Sequence, residues 1–333
     1  MMACRTIPPE GLFQPMQPSR FRNPLLSLAA FAGLMVCACV THAQEARPKI
    51  TGISHIAVYT SDPVAADHFY MNELGASKTA DKANPQGAIY RLGATTQFVE
   101  ILPLPAQHGI TRLDHVAFVT DDAAALRRYL IAKGVKDATE IAPGADGSPS
   151  FFVKDPEGNK IEMVQPEGVV TFAGLCCPLS THIIHVGFLV KDRAAEDHFY
   201  RDLLGFRPYW YGAMHPGKLD WVSLQVPDGH DWLEYMMTGP ESDSGSADTI
   251  DARQLGVMNH LSLGVPNMEK AVTRLYANDD IRFSPRHDGP TMGKDGKWQA
   301  NLYDPNGTRV ELMEFQPVIK PCCSGFTASS PEN

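Results

Sequence analysis

Four short apolar segments of this chain each carry a histidine at the same place. They are His55 in "ISHIAVYT", His115 in "LDHVAFVT", His185 in "IIHVGFLV" and His260 in "MNHLSLGV". Four others each carry a glutamate: Glu100 in "QFVEILP", Glu162 in "NKIEMVQ", Glu234 in "DWLEYMM" and Glu311 in "TRVELME". The chain has 12 histidines among 333 residues, so four placed alike call for a cause. A carboxylate inside an apolar strand needs a partner or a metal to offset its desolvation. Imidazoles and carboxylates together hold divalent transition metals. The competing reading is packed core histidines with edge-strand glutamates facing water. Recurrence in every copy favours the metal.

These residues recur because the chain repeats. "ISHIAVYTSDPVAADHFYMNELG" (53–75) overlays "IIHVGFLVKDRAAEDHFYRDLLG" (183–205) without a gap. Each half of the overlay begins with alternating apolar residues, which predict a strand. Each continues into a helix closed by Gly75 or Gly205. Pro63 suits the first helical turn. Ala66, Phe69, Tyr70 and Leu74 share one helix face and predict core anchors, as do Phe199 and Tyr200. His68 and His198 read as helix-surface residues. Weaker copies at 113–135 and 258–281 lead to "VKDPEGNKIEMVQ" and "LYDPNGTRVELME". In these, Asp-Pro-x-Gly is a turn and the alternation after it a strand. The chain therefore holds four strand–helix–strands units. Two residues beyond each histidine come Ala57, Ala117, Gly187 and Ser262, all small, leaving room beside the imidazole.

Composition and termini bound the rest. A net charge of −9 argues against a nucleic-acid partner and says little about a small-molecule substrate, which is the expected partner. Residues 1–43 read as a secretory signal: Arg20 and Arg22, an uncharged run from Leu25 to Val40, then a small-residue cleavage site after Ala43. A membrane anchor, or lipidation at Cys39, are the alternatives. The expected location is secreted or periplasmic, with no span after cleavage. Two cysteine pairs then remain, Cys176–Cys177 and Cys322–Cys323. Export favours disulfides, and a bridge between the pairs would tie the linker to the tail.

The motifs "SHIAVYTSD…DHFY…ELG", "DHVAFVTDD", "IHVGFLVKD…DHFY…LLG", "NHLSLGV" and the two "DP-x-G-x-x-(I/V)-E-(M/L)" endings resemble the vicinal oxygen chelate superfamily. That family includes glyoxalase I, methylmalonyl-CoA epimerase, extradiol dioxygenases and bleomycin-resistance proteins. The resemblance covers roughly 50–168 and 181–316. It implies an α+β fold of four βαβββ modules, paired into two half-open barrels around one metal each. The implied division is an N-terminal domain at 44–168, a linker at 169–180, a C-terminal domain at 181–316 and a tail at 317–333. It implies one ligand set of His55, Glu100, His115 and Glu162, and a second of His185, Glu234, His260 and Glu311. Zn²⁺, Ni²⁺, Mn²⁺ or Fe²⁺ would suit either.

The resemblance implies a glyoxalase-type lyase or isomerase acting on vicinal oxygens, with Glu234 or Glu311 as general base. The alternatives are an extradiol-type dioxygenase using His185, His260 and Glu311, and a non-catalytic binding protein. All four tryptophans lie between 210 and 298. Trp232 and Trp298 are candidate pocket walls, and Gln225 and Gln299 candidate polar contacts, for a substrate in the second half. Core packing is the competing role for the tryptophans. The polar stretch 238–254 predicts a mobile loop.

Overall fold

The computed structural model describes residues 46–168, 178–277 and 287–332. The expected signal segment, Cys176, Cys177 and most of the linker lie outside the described residues. Among these residues, no helix is long and apolar enough to cross a membrane.

The first half contains eight strands: β1 (Ile50–Thr60), β2 (Ser77–Ala80), β3 (Ala88–Arg91), β4 (Phe98–Pro103), β5 (Leu113–Thr120), β6 (Ala142–Pro143), β7 (Pro149–Lys154) and β8 (Lys160–Val164). The second repeats them as β9 (Ile183–Val190), β10 (Arg207–Gly212), β11 (Trp221–Gln225), β12 (Trp232–Met237), β13 (His260–Val265), β14 (His287–Met292), β15 (Trp298–Tyr303) and β16 (Arg309–Glu314). The strand order is β2-β3-β4-β1-β5-β8-β7-β6 in one sheet and β10-β11-β12-β9-β13-β16-β15-β14 in the other. Each half thus joins two βαβββ modules through their first strands, and each sheet is mixed. This is the expected α+β architecture.

Helices cover the sheets where the repeat placed them. Asp62 caps α1 (Pro63–Asp67) by accepting from Val64 N and Ala65 N, Asp122 caps α2 (Ala123–Ala132) through Ala125 N, and Asp192 caps α3 (Arg193–Asp197) through Ala195 N. Beyond Asp67 the expected α-helix widens into a π-helical turn, His68–Glu73, and the same happens at His198–Leu203. The wider turn keeps two adjacent rings on the buried side: Phe69 and Tyr70 are both buried, as are Phe199 and Tyr200. Gly75 and Gly205 end these helices at φ 75° and 82°, where a side chain would be strained. The side chain of His198 is exposed, as expected of a helix-surface residue.

The stretch expected as a mobile loop is structured. Ser242 donates to Asp220 and to the Met237 carbonyl. A capping box of Asp251 and Gln254 then starts α4 (Ala252–Met258). The tail is anchored too: Thr327 N donates to Tyr209 O, and Tyr211 N to Ser324 Oγ. The cysteines differ from expectation. Cys322 and Cys323 bond to each other, so neither bridges to the linker pair. The two are neighbours in sequence, so the bond closes no long loop.

The two sheets meet along β1 and β9. Gln97 donates to the carbonyls of Ile53 and Ile183, and accepts from Ile183 N. Asp231 accepts from Ile53 N at 3.0 Å. Gln97 and Asp231 each immediately precede a ligand-bearing strand, β4 and β12, so the seam also positions the sites.

Candidate metal centres

Strand register brings the ligands together. In the first half His55 lies opposite Ala117, and Ala57 opposite His115. Ala57 also pairs with Glu100, and Ala117 with Glu162. The second half copies this: Gly187 is flanked by His260 and Glu234, and Ser262 by His185 and Glu311. The small residues therefore make room for the partner imidazole, not for substrate. At Gly187 a β-carbon would fall 2.2 Å from His260 Cε1.

In the first set, the Nε2 atoms of His55 and His115 are 3.1 Å apart. Glu162 Oε2 lies 3.0 and 3.3 Å from them, and Glu100 Oε2 3.4 Å from both. Ligands on one first-row divalent ion, with bonds near 2.1 Å, lie about 3.0–3.5 Å from one another, so the set fits such an ion. Ser54 Oγ meets His55 Nδ1 at 3.0 Å, and Asp114 meets His115 Nδ1 at 2.7 Å. These contacts orient the rings with Nε2 inward. Phe98 stacks on His55 at 4.2 Å and Phe152 meets His115 edge-on at 5.1 Å.

The second set is looser. His185 Nε2 and His260 Nε2 are 3.0 Å apart, and Glu311 Oε2 is 3.2 Å from His185. Glu234 Oε2 stands off at 4.0 Å from His185 and 3.6 Å from His260. His260 Nδ1 donates to the Met258 carbonyl, which leaves Nε2 as the acceptor a metal needs. His185 Nδ1 is buried without a hydrogen-bond partner. His185, Glu234 and His260 offer ligand atoms within 4.8 Å of one another and could hold a divalent ion, with Glu311 beside His185.

Charge separates the two centres. Burial pulls His55 down, but Glu100 and Glu162 outweigh it and hold its pKa up at about 9. His115 is raised against burial by Asp114 and Glu162. Glu162 lies well below the usual carboxylate range, because hydrogen bonds from both imidazoles overcome burial. In the second set burial lowers His185, and takes His260 far below its ordinary value. Burial, with Glu311's charge adding, pushes Glu234 up to about 8. Arg309 and His185 hold Glu311 down against burial. The second pair of imidazoles is thus neutral and ready to ligate.

Only some expected substrate contacts face the second set. A cavity of about 70 Å³ opens there, lined by Glu234, Glu311, Trp232 and Gln299 among others. Trp210 and Trp221 line it as well. Trp232 also packs on His185 at 4.6 Å. Trp298 does not line this cavity. It neighbours Gln299 on β15, so the pleat sends it to the opposite face, where it is partly exposed. Gln225 is spent on structure, donating to the His230 and Ser329 carbonyls. Tyr209, Phe326 and Lys297 are among the residues that escaped the sequence reading. Phe326 comes from the tail and lines the cavity with Tyr209. Lys297 is fully buried, and burial lowers its pKa to about 8 although Asp295, Glu311 and Glu234 pull it up. A comparison of the DGS and DGK turns could have marked Lys297. No motif pointed to Phe326.

Comparison with known proteins agrees with this geometry. Residues 52–163 match one family model, and residues 184–301 another, both described as Glyoxalase/Bleomycin resistance protein/Dioxygenase superfamily. The chain belongs to this superfamily. No curated protein matches it. Among solved structures it resembles the 2,3-dioxygenase LapB from Pseudomonas sp. KL28, with 16% identity and a TM-score of 0.62, over 83% of this chain and 97% of that one. It also resembles homoprotocatechuate 2,3-dioxygenase from Brevibacterium fuscum in complex with 3,4-dihydroxyphenylacetate, at 16% identity and TM-score 0.59, over 81% and 82%. The Mn(II)-bound glyoxalase from Novosphingobium aromaticivorans gives 18% and 0.58, over 80% and 83%. At these identities the likeness speaks for the fold alone.

Proposed function

We propose that the second half is the active site of a metal-dependent lyase or isomerase. Its substrate is a small molecule with two adjacent oxygens. The observation that carries the reading is Glu234, a buried carboxylate that lines the cavity and stands off from the imidazoles at 4.0 and 3.6 Å. His185, His260 and Glu311 would hold the ion, with Zn²⁺, Ni²⁺, Mn²⁺ and Fe²⁺ all suited to this donor set. Bound there, a divalent ion supplies a Lewis acid for the substrate's vicinal oxygens. Glu234 then takes a proton from the carbon beside the carbonyl, and returns it to the neighbouring position. Ser223 Oγ donates to the far oxygen of Glu234 at 3.4 Å and orients the near one. Trp232 forms a flat wall beside His185. The first half would hold a metal as a paired scaffold.

A second reading, extradiol-type oxygenation, is favoured by the same spacing. His260 and Glu311 lie 3.0 and 3.2 Å from His185, closer than Glu234, as a two-histidine, one-carboxylate site requires. Metal analysis and two assays test both readings. The first follows deuterium incorporation from D₂O into α-hydroxy ketones; the second follows oxygen uptake with catechols. Exchange without oxygen uptake supports the lyase or isomerase. Oxygen uptake by iron-loaded protein supports the dioxygenase. Neither activity in metal-loaded protein would leave a binding protein, and absence of bound metal would sink both enzyme readings.

A further inference from the structure

Lys297 is the one lysine that is fully buried among the described residues. Its Nζ has no hydrogen-bond partner. It lies 4.7 Å from the Trp232 ring centre, 5.2 Å from Phe326 and 5.8 Å from Tyr209, three rings that line the second cavity. Cation–π contact offsets part of the desolvation of an ammonium and satisfies none of its three donors.

The first half shows what a completed version looks like. "ADGS" (145–148) and "KDGK" (294–297) occupy the same turn, with Gly147 and Gly296 at φ 89° and 82°. Ser148 thus takes the place of Lys297. The first half still sets a cation on the equivalent ring, from another strand: Arg91 lies 4.6 Å from the Phe98 ring centre. That guanidinium is occupied by the Thr96 carbonyl at 2.8 Å and Asp146 at 3.4 Å. In the second half Gln225 stands on the strand where Arg91 would be, and Lys297 brings the charge without a partner.

We propose that the second half binds an anionic ligand, a carboxylate or an acidic enol or phenol, whose ionised oxygen pairs with Lys297. The charge balance agrees. Around the cavity, Glu234, Glu311 and Asp295 face Lys294, Lys297 and Arg309. A divalent ion held there would add positive charge, which an anionic ligand would offset. Arg309 is already near Glu311 at 3.9 Å and Lys294 is exposed to solvent, so Lys297 is the buried cation left without a partner.

The proposal rests on the metal reading, and one experiment separates the two. The full protein, loaded with Mn²⁺ and analysed for metal, is titrated with pyruvate and with hydroxyacetone, which is alike in skeleton but uncharged. Broadening of each probe's methyl resonance by bound Mn²⁺ reports affinity. The wild type should prefer pyruvate. Lys297→Met should weaken pyruvate tenfold or more and hydroxyacetone less than twofold, while Lys297→Arg should keep most of the preference. Lys297→Gln, polar and uncharged, must repeat the loss if Met disturbs the aromatic cage. Unchanged pyruvate affinity in both variants, or equal weakening of both probes at full metal content, would overturn the proposal. Wild-type protein that takes up no Mn²⁺ would overturn the metal reading, and this proposal with it.

Discussion

The Tyr70 hydroxyl donates to Asp304 Oδ2 at 3.2 Å, reaching from the helix of module one to the turn before the last strand of module four. Its repeat partner Tyr200 reaches back to Asp155 at 3.3 Å. The tetrapeptide Asp-His-Phe-Tyr thus recurs because each tyrosine ties its own half to the other's Asp-Pro turn. Asp304 also accepts from Asn306 N and Thr308 N, and burial raises its pKa to about 6. Tyr70→Phe should cost about 1–2 kcal/mol by removing one donor from a buried acceptor. Urea unfolding measures it, and metal content should not change.

Gly187→Ala should empty the second centre. The added β-carbon falls 2.2 Å from His260 Cε1, so the imidazole must leave its place opposite Gly187. If both centres load, metal per chain should fall from two to one. Full loading of the variant would show that the ring has space to retreat.

Glu234→Gln keeps the side chain's shape and removes the proton acceptor. Deuterium exchange should fall by about 100-fold or more, the usual scale of general-base catalysis. A dioxygenase relying on His185, His260 and Glu311 would tolerate the change. His260→Ala should abolish either activity. A loss from His115→Ala with none from His260→Ala would move the chemistry to the first half.

The metal-free protein should lose stability as pH rises past neutral. His55 has a pKa of about 9 in the fold, against about 6.5 when unfolded. Its proton therefore stabilises fully below 6.5, and that contribution disappears as pH climbs through 9. Midpoints measured between pH 6 and 10 should decline, and His55→Gln should flatten that slope. Saturating Mn²⁺ should also flatten it, because the cation replaces the proton. A decline of equal slope in His55→Gln would assign the effect to other groups.

Export is proposed from Arg20, Arg22, the uncharged run and the small-residue site at Ala43. The N-terminus of protein recovered outside the cytoplasm should then begin near Gln44. An intact N-terminus on cytoplasmic protein would refute this.

The repeat made the architecture legible from sequence alone. Period-two strands, terminal glycines and Asp-Pro turns are local signals, and their recurrence along the chain reinforced each of them. The eight candidate site residues were legible for the same reason: His55 and Glu100 stand out as polar residues in apolar strands. Contacts between distant segments were not legible. The tail's Phe326 reaches the cavity because Ser324, Thr327 and Ser330 hold the tail along β10. Trp298 and Gln299 looked equally suited to substrate until the pleat turned one outward. Gln225 looked like a pocket residue until the tail's Ser329 carbonyl claimed its amide. The repeat marks Lys297 as a departure from Ser148, but a lysine beside Asp-Gly reads as an exposed turn, so its burial was not legible. Its importance comes from three rings contributed by β10, β12 and the tail, which enclose one ammonium only after the chain has folded.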